Sequence, residues 1–234
     1  MQIAEIYQSL QGEGLLAGTP SVFVRTSGCN LRCRWCDTPF TSWEPVGRPM
    51  VVADIVASVE SYGRRHVVIT GGEPLLFGDT VGLCHALRRR GHHVTVETAG
   101  TVLPQPVGHG PIADLMSISP KLASSGPPTD TPAAWADRHA AARRRDDVLR
   151  DLMDGAPWQL KFVIDFPSDL DEAERWLTDL GVQAPAGAIF MMPQGVATDD
   201  LSSTTSWLSV ACQRRGYRLA HRHHIEWFGH ARAT

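Results

Sequence analysis

Three cysteines stand close together in a segment whose side chains could ligate a metal. Cys29, Cys33 and Cys36 lie in GCNLRCRWCDT, with three residues between the first pair and two between the second. In a reducing compartment such a group is typical of metal or redox chemistry. Structural zinc, with one of the ten histidines as fourth ligand, is one interpretation. Zinc ligands usually come as two separated pairs, so the single compact group favours a 4Fe-4S cluster with three cysteine-bound irons and one open iron.

A second candidate motif follows the apolar segment HVVIT at residues 66–70 and reads Gly71-Gly72-Glu73-Pro74. Adjacent glycines at a strand end let backbone groups approach a ligand that a Cβ atom would exclude. A plain strand-to-helix turn is the alternative for the two glycines taken alone. Together, the cysteine spacing and the GGEP motif resemble the radical S-adenosylmethionine (SAM) superfamily, in which this strand end binds the SAM amino group.

Short segments rich in β-branched residues alternate with segments of helical periodicity, which predicts a largely parallel sheet with crossover helices. The predicted strands cover residues 21–27, 66–70, 92–98, 113–119, 158–164 and 187–192. The predicted helices place their apolar positions at Ile55, Val56 and Val59, at Val81, Cys84 and Leu87, at Leu170, Ala173, Trp176, Leu177 and Leu180, and, in a helix over 199–215 before Gly216, at Leu201, Trp207, Leu208 and Val210.

The expected fold class is α/β, as a reduced partial (β/α) barrel of about six mostly parallel strands, of the radical SAM type, in a single domain over residues 1–234. A closed eight-stranded barrel is disfavoured, because it typically needs about 250 residues and more strands. In this fold the cysteine loop and the GGEP turn both follow the carboxyl ends of strands, where α/β proteins bind ligands.

Composition restricts the class of function. With 43% hydrophobic and 20% charged residues, the chain has the composition of an ordinary soluble domain. Its formal net charge of -3 gives no electrostatic reason to bind nucleic acid or an anionic membrane. No segment approaches the ~18 consecutive apolar residues of a membrane span. We therefore expect a cytoplasmic protein with a small-molecule partner.

Three further features receive no catalytic role. Residues 123–137, rich in Pro, Ser and Gly, are predicted to form a loop that could serve as a lid. The basic run Arg143 to Arg145 is followed by several aspartates, which favours a solvated helix face over an anion site. Cys84 and Cys212 are expected in the core.

The histidines at 221, 223 and 224 raise the possibility of a zinc or nickel site. On a strand, His221 and His223 share one face and His224 lies on the other, so the three cannot converge on one ion. We therefore expect no metal there.

The chain resembles the 7-carboxy-7-deazaguanine synthase family of the radical SAM superfamily over nearly its whole length. The segments that carry the resemblance are residues 3–38, 70–74, 97–101, 119–126, 161–165, 192–195 and 218–229. The resemblance implies conversion of 6-carboxy-5,6,7,8-tetrahydropterin to 7-carboxy-7-deazaguanine with loss of ammonia, in queuosine or other deazapurine biosynthesis. It also implies a 4Fe-4S cluster, SAM, a flavodoxin- or ferredoxin-type electron donor and a homodimer. The enzymatic alternative is a glycyl-radical-enzyme activase.

The resemblance also implies roles for individual residues. Those implied for SAM are Trp35, Cys36, Asp37, Gly72, Ser119, Pro120, Lys121, Met192, Pro193, Gln194 and Gly195. Those implied for the substrate are Leu10, Gln11, Gly12, Glu13, Thr70 and His224, with Arg25 as the cation for the substrate carboxylate. For Arg25 the alternative is a surface ion pair on a strand.

The resemblance assigns a magnesium ion to the position of Thr38, in the stretch Cys-Asp-Thr. Magnesium needs few protein ligands and keeps several waters, so one hydroxyl with substrate oxygens could hold it. Capping of the following turn is the alternative for this threonine. The tail His-Ala-Arg-Ala-Thr departs from the glycine-ending pattern expected of the family, which leaves a substrate contact by the tail open.

Overall fold

The computed structural model describes residues 1–104 and 111–234, which form nine strands, eight helices and three short 3₁₀ turns. The strands are β1 Gln2–Leu10, β2 Pro20–Thr26, β3 Arg48–Pro49, β4 His66–Gly71, β5 His93–Thr98, β6 Leu115–Ile118, β7 Trp158–Ile164, β8 Ile189–Pro193 and β9 Arg218–Leu219. The helices are α1 Pro39–Ser42, α2 Val52–Ser61, α3 Asp79–Arg89, α4 Ala133–Ala142, α5 Asp146–Gly155, α6 Pro167–Leu180, α7 Thr198–Arg215 and α8 His223–Phe228.

All strands belong to one sheet of order β3-β1-β2-β4-β5-β6-β7-β8-β9. From β2 to β9 every neighbouring pair is parallel, whereas β1 runs antiparallel to both β2 and β3. The six predicted strands are β2 and β4 to β8, and the α/β fold class is confirmed. Prediction missed β1, in which the pairing register shifts between Ile3 and Glu5 and the apolar alternation is broken.

The hydrophobic core lies between one face of the sheet and the helices. The predicted apolar positions of α2 and α3 are all buried, and Cys84 and Cys212 are core residues as expected. In α6, Trp176 is fully buried, packs edge-on against Phe162 and donates from Nε1 to Asp146 at 2.7 Å. The prediction for Val210 was wrong, because this side chain of α7 is 45% exposed.

None of the described helices is long and apolar enough to cross a membrane.

The segment 123–137 is not a plain loop. It contains a 3₁₀ turn at Ala123–Ser125 and the start of helix α4, which the high proline and glycine content concealed. The basic run that follows it is also not a helix face, since it joins α4 to α5. All three arginines of this run form salt bridges with carboxylates, and Arg145 pairs with Asp147 at 2.6 Å.

The ends of β2 and β4 approach so closely that the two adjacent glycines at the end of β4, Gly71 and Gly72, are required by the fold itself. A Cβ atom at Gly71 would lie 2.2 Å from the Thr26 carbonyl oxygen, and one at Gly72 would lie 2.2 Å from the Gly28 carbonyl oxygen. The two glycines therefore allow the end of β4 to contact the backbone at the end of β2, in addition to any approach by a ligand. This contact positions the loop that begins at Gly28 and carries the cysteines.

We predict that Gly72→Ala destabilises the metal-free protein by at least about 2 kcal/mol, because both atoms that its Cβ would meet most closely belong to backbone. Gly82→Ala in α3 is the matched control, since a Cβ there meets nothing within 4 Å. Alanine should stabilise that helix by up to about 1 kcal/mol. Urea unfolding measures both changes, and equal stability of the two variants would contradict the prediction.

Candidate active site

A cavity of about 400 Å³ opens at the carboxyl ends of the parallel strands. Its lining brings together residues far apart in the sequence, from the start of the chain, the cysteine loop, the GGEP turn, β7 and the C-terminal segment. All the predicted site residues line it except Pro120, Pro193 and Gly195. The lining residues among them are Leu10, Gln11, Gly12, Glu13, Arg25, Cys29, Cys33, Trp35, Cys36, Asp37, Thr38, Thr70, Gly72, Ser119, Lys121, Met192, Gln194 and His224.

The cysteine loop follows β2 and presents all three thiols, none in a disulfide, to this cavity. Backbone hydrogen bonds fix its start, from Gly28 N to Thr41 O at 2.8 Å and from Glu73 N to Gly28 O at 2.9 Å. Burial raises the pKa of Cys29 to about 11 and that of Cys33 to about 12, so both are neutral thiols without a metal. In residues 1–104 and 111–234 no three or more His, Cys, Asp or Glu side chains are already gathered as metal ligands.

Two polar side chains lie beside the cysteines: in the described structure one has no hydrogen-bond partner, and the other is bonded only to a neutral hydroxyl. Trp35 Nε1 is buried and makes no hydrogen bond in the described structure. Lys121 Nζ donates to Ser119 Oγ at 2.8 Å and lies 5.7 Å from the Trp35 ring centre. A lysine bonded only to a neutral hydroxyl in the described structure, an unpaired indole N–H and three thiols in one cavity fit an iron–sulfur cluster together with a ligand that carries a carboxylate.

Glu13 forms the centre of a buried charge network. It accepts hydrogen bonds from Lys161 Nζ at 2.7 Å and from Arg222 Nε at 3.3 Å. Arg222 also pairs with Asp37, next to the last cysteine. Burial would raise the pKa of Glu13, but Lys161, Arg222 and His224 outweigh it and hold the pKa well below its usual range. The glutamate is therefore ionised at neutral pH, and the network links the first strand to β7 and to the C-terminal segment.

A second carboxylate, Glu97 at the end of β5, accepts from Gln11 Nε2 at 3.1 Å and from Thr70 Oγ1 at 2.9 Å. Lys161 Nζ is 3.7 Å from the same carboxylate. Sequence reasoning missed both Glu97 and Lys161. The available signal was a charged residue inside an otherwise apolar predicted strand, since burial of such a residue requires a partner.

Arg25 lines the cavity but already has partners. Its Nε donates to Glu5 at 2.8 Å and its Nη2 to the Tyr7 hydroxyl at 2.6 Å. The ion-pair alternative considered for Arg25 is thus present, although the pair lies in the cavity wall with both side chains at most 15% exposed. The C-terminal tail reaches the same wall, where Arg232 lies 3.4 Å from Glu5 and 3.9 Å from the Phe40 ring centre.

The three nearby histidines are not on a strand, because His223 and His224 begin helix α8. His221 and His223 nevertheless share one side, where their rings stack at 5.1 Å and Trp227 stacks on His223 at 5.0 Å. His224 points the other way, into the cavity, and a Cβ atom at Gly12 would lie 2.3 Å from its Nδ1. Close packing of Gly12 against His224 thus forms part of the cavity wall.

A parallel partial barrel with a three-cysteine loop at its carboxyl edge defines the class of the protein. The family model described as "Radical SAM superfamily" matches residues 23–111, which contain the cysteine loop and the GGEP turn. The structure of SuiB from Streptococcus suis with its precursor peptide is similar in fold, with a TM-score of 0.55 at 12% identity over 84% of this chain and 47% of that chain. The protein is a radical SAM enzyme.

Full-length relatives define the family within this class. A protein of Rhodopirellula baltica named 7-carboxy-7-deazaguanine synthase is 43% identical over 99% of this chain and 88% of its own length. One of the same name from Halobacterium salinarum is 44% identical over 100% of this chain and 93% of its own length. The crystal structure of QueE from Escherichia coli matches 94% of this chain and 92% of its own, with a TM-score of 0.66 at 26% identity. The chain belongs to the 7-carboxy-7-deazaguanine synthase family.

This membership confirms the resemblance found in the sequence and places the enzyme in deazapurine biosynthesis. It decides against the glycyl-radical activase and the structural-zinc protein as alternatives, because the likeness extends over the whole chain rather than over the shared cysteine and GGEP motifs alone.

The charge network gives a prediction about stability. Glu13→Gln and Lys161→Met should each cost about 3–5 kcal/mol, because each removes the shortest ion-pair partner, at 2.7 Å, of a buried charge. The double variant should cost clearly less than the sum of the two. Arg215→Ala, which breaks an exposed pair with Glu174 at 2.5 Å, is the control and should cost under about 1 kcal/mol.

The pH dependence of unfolding provides the second readout. Since Glu13 has a lower pKa in the folded protein than its ordinary value of 4.5, the wild type should lose its contribution as the pH falls below 4.5. Glu13→Gln should lack this part of the acid dependence. Additive single and double variants, or an unchanged acid profile, would contradict the network.

Proposed function

We propose that the enzyme converts 6-carboxy-5,6,7,8-tetrahydropterin to 7-carboxy-7-deazaguanine with release of ammonia. One observation carries the proposal: a single cavity joins the three-cysteine loop and the GGEP turn to a wall of buried polar side chains suited to a donor-rich heterocycle. A family model or a fold alone would support the radical chemistry but not this substrate.

The radical SAM class implies a 4Fe-4S cluster and SAM. Cys29, Cys33 and Cys36 are the residues that would hold the cluster. The Lys121 side chain and the unpaired Trp35 N–H would serve SAM. When bound, the cluster and SAM supply the one-electron step that produces a hydrogen-abstracting radical. The remaining residues proposed for SAM are Asp37, Gly72, Ser119, Met192 and Gln194, with Pro120, Pro193 and Gly195 shaping the turns behind them.

For the substrate, the strongest support comes from the ordered carboxylate of Glu97. Gln11 and Thr70 both donate to it, so its position is fixed before a ligand arrives. A preorganised carboxylate suits the amino and ring N–H groups of a pterin edge. Arg25, Leu10, Gly12, Glu13 and His224 complete the proposed substrate wall, with Arg25 as the cation for the substrate carboxylate.

We place a magnesium ion at Thr38. This threonine is the residue before α1, yet its side chain makes no capping hydrogen bond, which argues against the capping alternative. Thr38 lines the cavity, and its Oγ1 lies 3.2 Å from Thr41 Oγ1, whose hydroxyl has a shorter acceptor in Thr38 O at 2.9 Å. One hydroxyl together with substrate oxygens and waters satisfies magnesium without a carboxylate cage.

The reaction needs an external electron, and we propose a flavodoxin- or ferredoxin-type protein as its donor. A homodimer in the cytoplasm remains our proposal for the assembly and location of the enzyme. Its direct partner is the small-molecule substrate rather than nucleic acid or membrane.

The activity is tested by anaerobic reconstitution followed by incubation with dithionite, SAM and the tetrahydropterin. We expect 7-carboxy-7-deazaguanine and ammonia to form without any added protein. The triple variant Cys29→Ala, Cys33→Ala, Cys36→Ala should be colourless and inactive, whereas Cys84→Ala, which removes a core thiol away from the cavity, should keep its iron. Iron-loaded wild type that leaves the tetrahydropterin unchanged would overturn the substrate assignment.

The magnesium site is tested with Thr38→Val and Thr38→Ser. Wild type and the serine variant should become more active as magnesium is added, because both keep a ligating hydroxyl. The valine variant should lose this response while retaining its iron content. Full activity in excess chelator, with the valine variant indistinguishable from wild type, would refute the site.

A further inference from the structure

Helix α4 packs against the outer side of the cysteine loop and brings one buried histidine to it. His139 is 1% exposed, and its Nδ1 accepts a hydrogen bond from the backbone N–H of Arg32 at 3.1 Å. Arg32 lies between Cys29 and Cys33, so this contact acts on the loop itself.

The hydrogen bonds around His139 permit one tautomer. Because Nδ1 accepts from a backbone N–H, the ring proton lies on Nε2, which is 3.1 Å from Ser125 Oγ. Ser125 Oγ in turn donates to Leu122 O at 2.6 Å and so can accept from Nε2. Burial, with Arg143 and Lys121 nearby, lowers the pKa of His139 to about 4 and keeps the ring neutral at pH 7.

The same face of the loop is fixed at neighbouring points. The Arg32 guanidinium donates to the carbonyls of Cys29 and Leu31 at 2.9 and 2.8 Å and lies 3.7 Å from the Trp135 ring centre. Arg34 N donates to Ser125 O at 3.1 Å. These contacts hold the backbone between the first two cysteines from outside, while the thiols face the cavity.

A histidine that merely fills the core would need no particular acceptor atom. Here the Arg32 N–H is buried in an irregular loop, and an unpaired buried N–H is costly. We propose that His139 is a positioning residue, whose Nδ1 acceptor holds the backbone between Cys29 and Cys33 in the conformation that retains the cluster. The proposal rests on the 4Fe-4S ligation given under Proposed function.

Two substitutions separate the acceptor from the volume of the ring. In His139→Asn the amide oxygen can occupy the place of Nδ1 and still accept from Arg32. In His139→Gln the longer amide reaches the place of Nε2 and leaves the Arg32 N–H unpaired. His93→Gln is the control, because His93 begins β5 at the opposite end of the strands and its Nδ1 has no partner in the described structure.

The first readout is retention of iron by the reconstituted proteins in the presence of a chelator. We expect His139→Gln to lose iron about tenfold faster than wild type, the change expected for one buried hydrogen bond. His139→Asn and His93→Gln should stay close to wild type. Equal rates for wild type and His139→Gln would overturn the proposal, as would equally fast loss from the asparagine and glutamine variants.

The second readout uses the metal-free proteins and so does not depend on the cluster. The Arg32 amide should exchange slowly with solvent in wild type and His139→Asn and quickly in His139→Gln. Nitrogen NMR of wild type should show His139 protonated on Nε2, which tests the contact even where a variant fails to fold, and protonation on Nδ1 would overturn it. Wild type that takes up no iron would instead overturn the proposed function together with the positioning role.

Discussion

The buried carboxylate of Glu13 connects parts of the chain that would otherwise have no reason to meet around one cavity. A charge in this position is tolerable only when it is paired, and Lys161 from β7 and Arg222 from the C-terminal segment supply the pairing. Through Arg222 the same network reaches Asp37 beside the cysteines. The cavity wall, the cysteine loop and the C-terminal segment are therefore held in one arrangement, because separating these charges would leave them buried without partners.

The cysteine loop is supported from two sides by different means. At the start of the loop, the adjacent glycines Gly71 and Gly72 at the end of β4 let backbone approach backbone and leave the GGEP turn against Gly28 and Thr41. Glu73 of this turn is fully buried and accepts from Thr98 Oγ1 at 2.8 Å and from Ala99 N at 2.9 Å, which joins the end of β4 to that of β5. On the outer side, α4 contributes His139 and Trp135. The loop needs this support because, without a bound metal, its three thiols do not fix the conformation of its backbone.

Much of this architecture follows from local sequence patterns. The six predicted strands carry segments rich in apolar residues, which is typical of parallel strands buried on both faces. The cysteine and GGEP motifs are each contiguous in the sequence and so can be recognised there. Strand β1 escaped prediction because its cavity face carries polar residues such as Glu5, and α4 because prolines and glycines precede it. The pairing of Glu13 with Lys161 and of Arg32 with His139 spans more than a hundred residues, and no local pattern encodes such contacts. Residues 97–101 and 161–165 resemble the family in sequence. The partners of Glu97 and Lys161, however, lie in other parts of the chain and can be identified only in the folded protein.

In the proposed site, three cysteines of one loop would hold a 4Fe-4S cluster and leave one iron free to bind SAM. Electron paramagnetic resonance of the reconstituted, dithionite-reduced protein tests it most directly when spectra are recorded with and without SAM. We expect the signal of a reduced 4Fe-4S cluster and a change in that signal when SAM is added, because an iron without a cysteine ligand would be open to SAM. A signal that SAM leaves unchanged, or a protein that holds zinc and gives no signal, would contradict it.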